Sequence, residues 1–104
     1  MAAARVVLVT HPVRGARAFA RGLVERRLAA CVNLVPTGSV YRWKGKVESA
    51  REVLCLIKTT SGALARLERA VRAAHPYECF EFVALEPARV ERRYLAWLAA
   101  ETRP

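Results

Sequence analysis

The sequence predicts an α+β domain in which one antiparallel sheet carries helices on one face. Three observations lead there. Residues 31–43 and 46–60 are two long strand-like runs around a Lys44-Gly45 turn, a hairpin signal. A stretch with one-sided helical periodicity lies on each side of that hairpin. A further strand-like run stands outside each of those stretches.

Taken in order, residues 5–10 form the first strand, mostly apolar and central in the sheet. His11-Pro12 ends it, and Gly15 sits in the loop that follows. Ala16, Phe19, Ala20, Leu23, Val24 and Leu28 recur at helical spacing and make a one-sided amphipathic helix. Its other face carries Arg14, Arg17, Arg21, Glu25 and Arg26, a solvated set. In the hairpin that follows, Ser39, Tyr41 and Trp43 share one face of the first arm. Thr59, Thr60 or Ser61 is placed to cap a second helix with the stripe Leu64, Leu67, Val71 and Ala74. Pro76 ends that helix just after His75. Residues 80–86 alternate as a fourth strand that Pro87 stops, and residues 91–101 form a last short helix. The order β-α-β-β-α-β plus a C-terminal helix is the ferredoxin-like pattern. Residues 1–104 are read as a single domain.

The hairpin is too long for its own domain. Its arms have thirteen and fifteen residues, against roughly 5–6 in an ordinary strand. At about 3.3 Å per residue they reach roughly 43–50 Å if straight. A domain of this length has a diameter on the order of 35 Å. Either the first arm bends or bulges at Pro36 or Gly38, or the tip leaves the domain. A projecting tip exposes backbone N–H and C=O groups, which proteins cover. Another copy of the chain is the expected cover, so the hairpin reads as an oligomerisation device.

Composition bounds the rest. No run of eighteen apolar residues exists, so no membrane span is expected. The N-terminal stretch lacks the basic region and cleavage site of a signal peptide, which places the protein in the cytoplasm. Three cysteines without C-x-x-C spacing argue against a disulfide framework or a zinc knuckle. Eighteen Lys and Arg face nine Glu and no Asp, giving a net charge of +9. That charge fits a nucleic-acid partner. The basic residues are spread over every element, however, which fits an ordinary solvated surface better.

The densest polar cluster is His75-Pro76-Tyr77-Glu78, at a helix-to-strand junction. His75 reads either as a metal ligand or proton carrier, or as a charged cap opposing the helix dipole. In a sheet whose first strand runs parallel to its neighbour, His11 and this junction need not meet. Cys31, Cys55 and Cys79 lie in or beside apolar runs and read as small buried hydrophobes. A thiolate with an imidazole would also suit Cu(I) or Zn(II). Lys58 either snorkels or meets Glu52 or Glu78 in a cleft, which would favour an anionic ligand. Tyr41 and Trp43 could stack on a base, but read better as anchors between subunits. No P-loop, G-x-S-x-G or H-E-x-x-H motif occurs, and an enzyme reading ranks last.

Several motifs together resemble one family. They are Arg27-Leu-Ala-Ala-Cys-Val-Asn33, Ser39-Val-Tyr-Arg-Trp-Lys-Gly-Lys46, Glu52-Val-Leu, Lys58-Thr-Thr60, His75-Pro-Tyr-Glu78, Glu81 and Tyr94-Leu-Ala-Trp-Leu98. In this order they resemble the CutA family of divalent-ion tolerance proteins, over nearly the whole chain. The resemblance implies a ferredoxin-like subunit in a homotrimer, with the long hairpins pairing between subunits. It implies a likeness to the nitrogen-signalling PII proteins, a role in signalling or scaffolding, and tolerance of copper or another divalent metal ion. It brings no firm catalytic activity. His75, Cys31 and His11 become the metal candidates. Lys58, Tyr77, Glu78, Tyr41, Trp43 and Glu52 would line an intersubunit cleft for an ion or small ligand. The chain departs from the family at three places. Ala74 stands where some relatives have a second His, and Val9 where some have Cys, which weakens a copper site of that kind. Phe80 replaces a Pro at the start of the fourth strand. The positive charge is also atypical. Two other classes stand behind this reading, a basic nucleic-acid-binding module and a structural assembly hub.

Overall fold

A computed structural model describes residues 3–104. The reading of Met1 and Ala2 as the start of a chain without a signal peptide lies outside the described residues. The elements are β1 (Ala4–Pro12), α1 (Ala16–Glu25), β2 (Cys31–Trp43), β3 (Lys46–Thr60), α2 (Leu64–Ala74), β4 (Val83–Leu85) and α3 (Arg92–Glu101). A 3-10 turn, Ser61–Ala63, leads into α2. The sheet order is β2-β3-β1-β4, and every pairing is antiparallel. Strand β1 is central as expected, but it runs antiparallel to both neighbours, not parallel.

The hairpin has the predicted limits. Lys44 and Gly45 make the turn with φ of 49° and 80°. Positive φ at both central positions matches the twist of the flanking strands. Pairing is continuous from Cys31↔Lys58 to Trp43↔Lys46, so neither Pro36 nor Gly38 makes a bulge. The arms stay long, and the longest dimension of the chain is 44 Å. Strand β1 stops at Pro12↔Glu52. Past that level, residues 38–43 and 46–51 form a two-stranded ribbon beyond the body of the sheet.

Cross-strand partners point to the same face of a sheet. Val7 pairs with Ile57 and Val9 with Cys55, and all four are fully buried. Leu23 of α1 and Leu67 and Val71 of α2 close over them in one core cluster. The opposite face is also apolar. Leu85, Val6, Val83, Leu8, Leu54, Leu56 and Val35 lie along it across the four strands. Val35, Val83 and Leu85 are each more than 40% exposed there. An apolar sheet face left open is the signature of a further packing partner.

Strand β1 runs on through His11 to Pro12 instead of ending at Thr10, and three further features differ from expectation. Helix α1 stops at Glu25, not at Leu28. Arg27 takes φ 58°, and Leu28 N–H reaches Leu23 O while Arg27 N–H reaches Val24 O. This is a Schellman stop, and it still turns Leu28 into the core. None of the three hydroxyls expected to cap α2 does so, because its N-cap position is Ala63. Thr59 donates to Leu28 O at 2.7 Å, and Thr60 pairs with Thr102 at 3.2 Å. The fourth strand keeps only Val83–Leu85. Phe80 and Phe82 both pack on the core, which pulls the preceding segment out of ladder geometry.

No helix among the described residues is long and apolar enough to cross a membrane. Leu67→Ala should cost about 2–5 kcal/mol, because Leu67 is fully buried beneath the sheet. Urea unfolding of the two proteins measures this, and a loss under about 1 kcal/mol would contradict the described core.

Candidate functional site

The segment leaving α2 meets the sheet where β1 stops. Pro76 disfavours helical backbone at the residue before it, and His75 is accordingly extended. Its ring is buried. Nε2–H donates to the Thr10 carbonyl at 2.7 Å, and Nδ1 accepts the Tyr77 N–H at 3.0 Å. A carbonyl only accepts and an amide N–H only donates, so one neutral tautomer is fixed. Burial lowers the proton affinity of His75 below the ordinary 6.5, and His11 adds to that. The Thr10 bond and Glu52 act in the other direction without reversing it. The ring lies 5.1 Å from His11, 4.9 Å from Tyr77 and stacks on Phe80 at 5.4 Å. The Phe80 that departs from the family pattern thus walls the His75 ring, with the Arg72 guanidinium 5.7 Å from its own centroid. His75 is a neutral anchor for the loop, not a charged cap.

That anchor sets Tyr77. Its hydroxyl donates to Glu52 Oε2 at 3.0 Å. Burial and the Glu52 carboxylate push the Tyr77 phenol up to about 12, so it stays a donor at neutral pH. Glu52 is only 5% exposed. Burial raises the Glu81 carboxyl as well, and the Glu52 charge adds to it. Around these groups lies a cleft of about 800 Å³. Tyr41 and Trp43 of the ribbon line it together with Tyr77, Glu78 and Glu81 from the segment after α2. Among the described residues, no Lys or Arg lines it.

Five of the six residues expected to share a cleft therefore do so: Tyr41, Trp43, Glu52, Tyr77 and Glu78. Lys58 does not. It pairs with Cys31 and Val6, six residues along β3 from Glu52, roughly 20 Å at strand spacing. Glu81 lines the cleft without having been expected there. Its signal in the sequence is its position between Phe80 and Phe82, whose packing on the core sends it the other way.

The metal candidates divide. His11 and His75 do meet, because His11 sits on the helix-covered face of β1 beside Phe19, 4.7 Å away. Cys31 is at the far end of the sheet, opposite Lys58. Cys55 alone fits the buried-thiol reading, since Cys31 is half-buried and Cys79 exposed. Burial pushes the Cys55 thiol up to about 11. Both nitrogens of His75 are engaged, and His11 Nδ1 donates to Pro12 O at 2.8 Å. The described residues hold no group of three or more His, Cys, Asp or Glu placed to share an ion. The donor set of a single chain does not fit a bound divalent metal.

The fold defines the class first: a ferredoxin-like α+β protein with an overlong hairpin. Its family follows from the match of the CutA1 divalent ion tolerance protein model to residues 5–101: the chain belongs to that family. The divalent-cation tolerance protein CutA of Thermus thermophilus is 50% identical over 99 residues, 93% of this chain and 96% of that one. Human protein CutA is 48% identical over 88 residues, 84% of this chain but 49% of that one. The chain thus spans about half the length of its human relative. The solved structure from Thermus thermophilus superposes with a TM-score of 0.92 at 49% identity, covering 96% of this chain and 99% of that one. A PII-like protein CutA from Nostoc in apo form does so at 0.92 and 37% identity, covering 95% and 97%.

Two outcomes follow from the His75 geometry. The unfolded chain takes up a proton on this ring before the native chain does. Stability is therefore full above about 6.5 and falls as pH drops below that value. Melting temperatures between pH 8 and pH 5 should fall less in His75→Gln than in wild type; equal slopes would contradict the neutral anchor. Titration of Cu(II) and Zn(II) should give the same affinity for wild type and His75→Ala. A tenfold loss in the variant would make His75 a ligand after all.

Proposed function

We propose that this chain is a homotrimeric CutA-type protein of divalent-ion tolerance, which acts by binding a ligand at clefts between subunits and not by catalysis. The observation that carries the assembly is the open sheet face, apolar on all four strands and uncovered by α1 or α2. The projecting ribbon supports it, with Val40 74% and Val47 64% exposed. Burying such surface gives roughly 25 cal/mol per Å². Residues 1–104 act as one domain in this reading. The cytoplasm is the proposed compartment, because three free cysteines suit a reducing environment. Relatives occupy more than one compartment, since one from Arabidopsis thaliana is named chloroplastic and one from Archaeoglobus fulgidus periplasmic.

The relation to divalent ions, copper among them, rests on the family and not on a donor set within one chain. A signalling role fits better, with the cleft reporting a bound ligand to the trimer. The nucleic-acid alternative has less support. Tyr41 and Trp43, the aromatics it needs, line a cleft whose charged residues are all Glu.

Sedimentation equilibrium tests the assembly. Wild type should behave as a species of about three times the 11.6 kDa chain mass. Val83→Glu with Leu85→Glu should break it up while circular dichroism stays unchanged, because both positions are exposed within one chain. A folded wild-type monomer at micromolar concentration would overturn the proposal.

A further inference from the structure

The cleft has a chemistry that neither the family nor the total charge foretells. The chain carries eighteen cationic side chains and nine acidic ones. Yet Glu52, Glu78 and Glu81 line the cleft, and no cationic side chain does so among the described residues. A cleft lined by one sign of charge focuses its field and concentrates the opposite ion. Glu52 adds an independent pointer. It is a carboxylate 5% exposed at the wall of the cleft. Its one side-chain partner among the described residues is the Tyr77 hydroxyl, which sits on Oε2. No Lys or Arg among the described residues forms an ion pair with it. A buried carboxylate without a cation is costly.

The aromatic walls narrow the class of cation. Tyr41, Trp43 and Tyr77 line the same cleft as the carboxylates, and the Tyr77 hydroxyl touches Glu52. The Trp43 ring already holds the Lys44 ammonium 5.8 Å from its centroid, so its face accepts positive charge. The three carboxylates are not placed to share a single ion. Spread carboxylates between aromatic rings suit a cation with an organic body better than a bare metal ion. At about 800 Å³ the cleft has the size of a small-ligand site.

We propose that the cleft recognises an alkylammonium or alkylguanidinium group, with Glu52 pairing the charge and Tyr41, Trp43 and Tyr77 enclosing the chain that carries it. This rests on reading the cleft as a ligand site at a subunit border. It reverses the anion preference that Lys58 suggested, because Lys58 lies elsewhere. The same group could come from a free small molecule or from an arginine or lysine of a second copy of the chain.

Calorimetric titration of the assembled protein with n-butylguanidinium, n-butylammonium, butyrate and Mg²⁺ tests this. One of the two organic cations should bind saturably and at least tenfold more tightly than butyrate. Glu52→Gln should weaken that binding roughly tenfold, and Trp43→Leu severalfold. Glu25→Gln, on the exposed face of α1, should not change it. Melting curves control for folding. If no probe binds but Glu52→Gln dissociates the assembly in sedimentation, the cation comes from a sister chain and the recognition chemistry stands. Butyrate binding as tightly as the cations, or Glu52→Gln leaving cation affinity unchanged, overturns the proposal. So does binding of Mg²⁺ without either organic cation, which leaves the family reading of the cleft intact. Absence of all binding with an intact Glu52→Gln trimer removes the ligand site itself.

Discussion

One sheet with two apolar faces governs this molecule: α1 and α2 cover one, and α3 meets only the Ala4–Thr60 end of the other. The cross-strand pairs Val7↔Ile57 and Val9↔Cys55 turn one set of side chains under α1 and α2. The same register obliges Val6, Leu8, Leu54 and Leu56 to turn the other way. A slip of one residue would exchange the sets and bury Lys58 in place of Ile57. Both sets are largely hydrophobic, so the second needs cover beyond what α1 and α2 supply. The proposed assembly would resolve that conflict, and the ribbon beyond Pro12 extends the same demand outward.

The cleft is a by-product of where β1 ends. Because β1 stops opposite Glu52, the outer arms of β2 and β3 lose their third strand there. The segment after α2 fills the gap. His75 holds that segment by a hydrogen bond to Thr10, and Tyr77 bridges to Glu52. Neutrality is what lets His75 do this, since its two nitrogens must play opposite roles. A chain of two hydrogen bonds thus links the helix end, the strand end and the wall of the cleft. The sheet positions the carboxylate, and the loop positions the aromatic donor.

Much of this was legible in the sequence. The hairpin limits could be read residue for residue, because a Lys-Gly turn between long β-rich arms leaves little freedom. The structure brings five of the six expected cleft residues together, since the period of two puts Tyr41 and Trp43 on one face and Pro76 fixes the loop bearing Tyr77. Errors arose where tertiary contacts outvote local pattern. Phe80 and Phe82 alternate like a strand but pack as core wedges beside a three-residue β4. His11 and His75 were separated by assuming a parallel neighbour for β1, when the antiparallel pairing brings the strand end to the helix end. Lys58 was placed by residue type near carboxylates that the register sets about six residues away. Net charge carried no information about the cleft, because +9 describes the surface and the cleft has the opposite sign.

The proposed dependence of the ribbon on sister chains can be tested at its own amides. In an isolated two-stranded ribbon, every second N–H points away from the partner arm and exchanges with solvent. Residue-resolved hydrogen exchange over residues 38–43 and 46–51 distinguishes the cases. Slow exchange at consecutive amides, lost on dilution to single chains, is the outcome expected of a ribbon covered on its outer edges. Protection at alternate amides only, unchanged by concentration, would mean that the chain satisfies its hairpin alone.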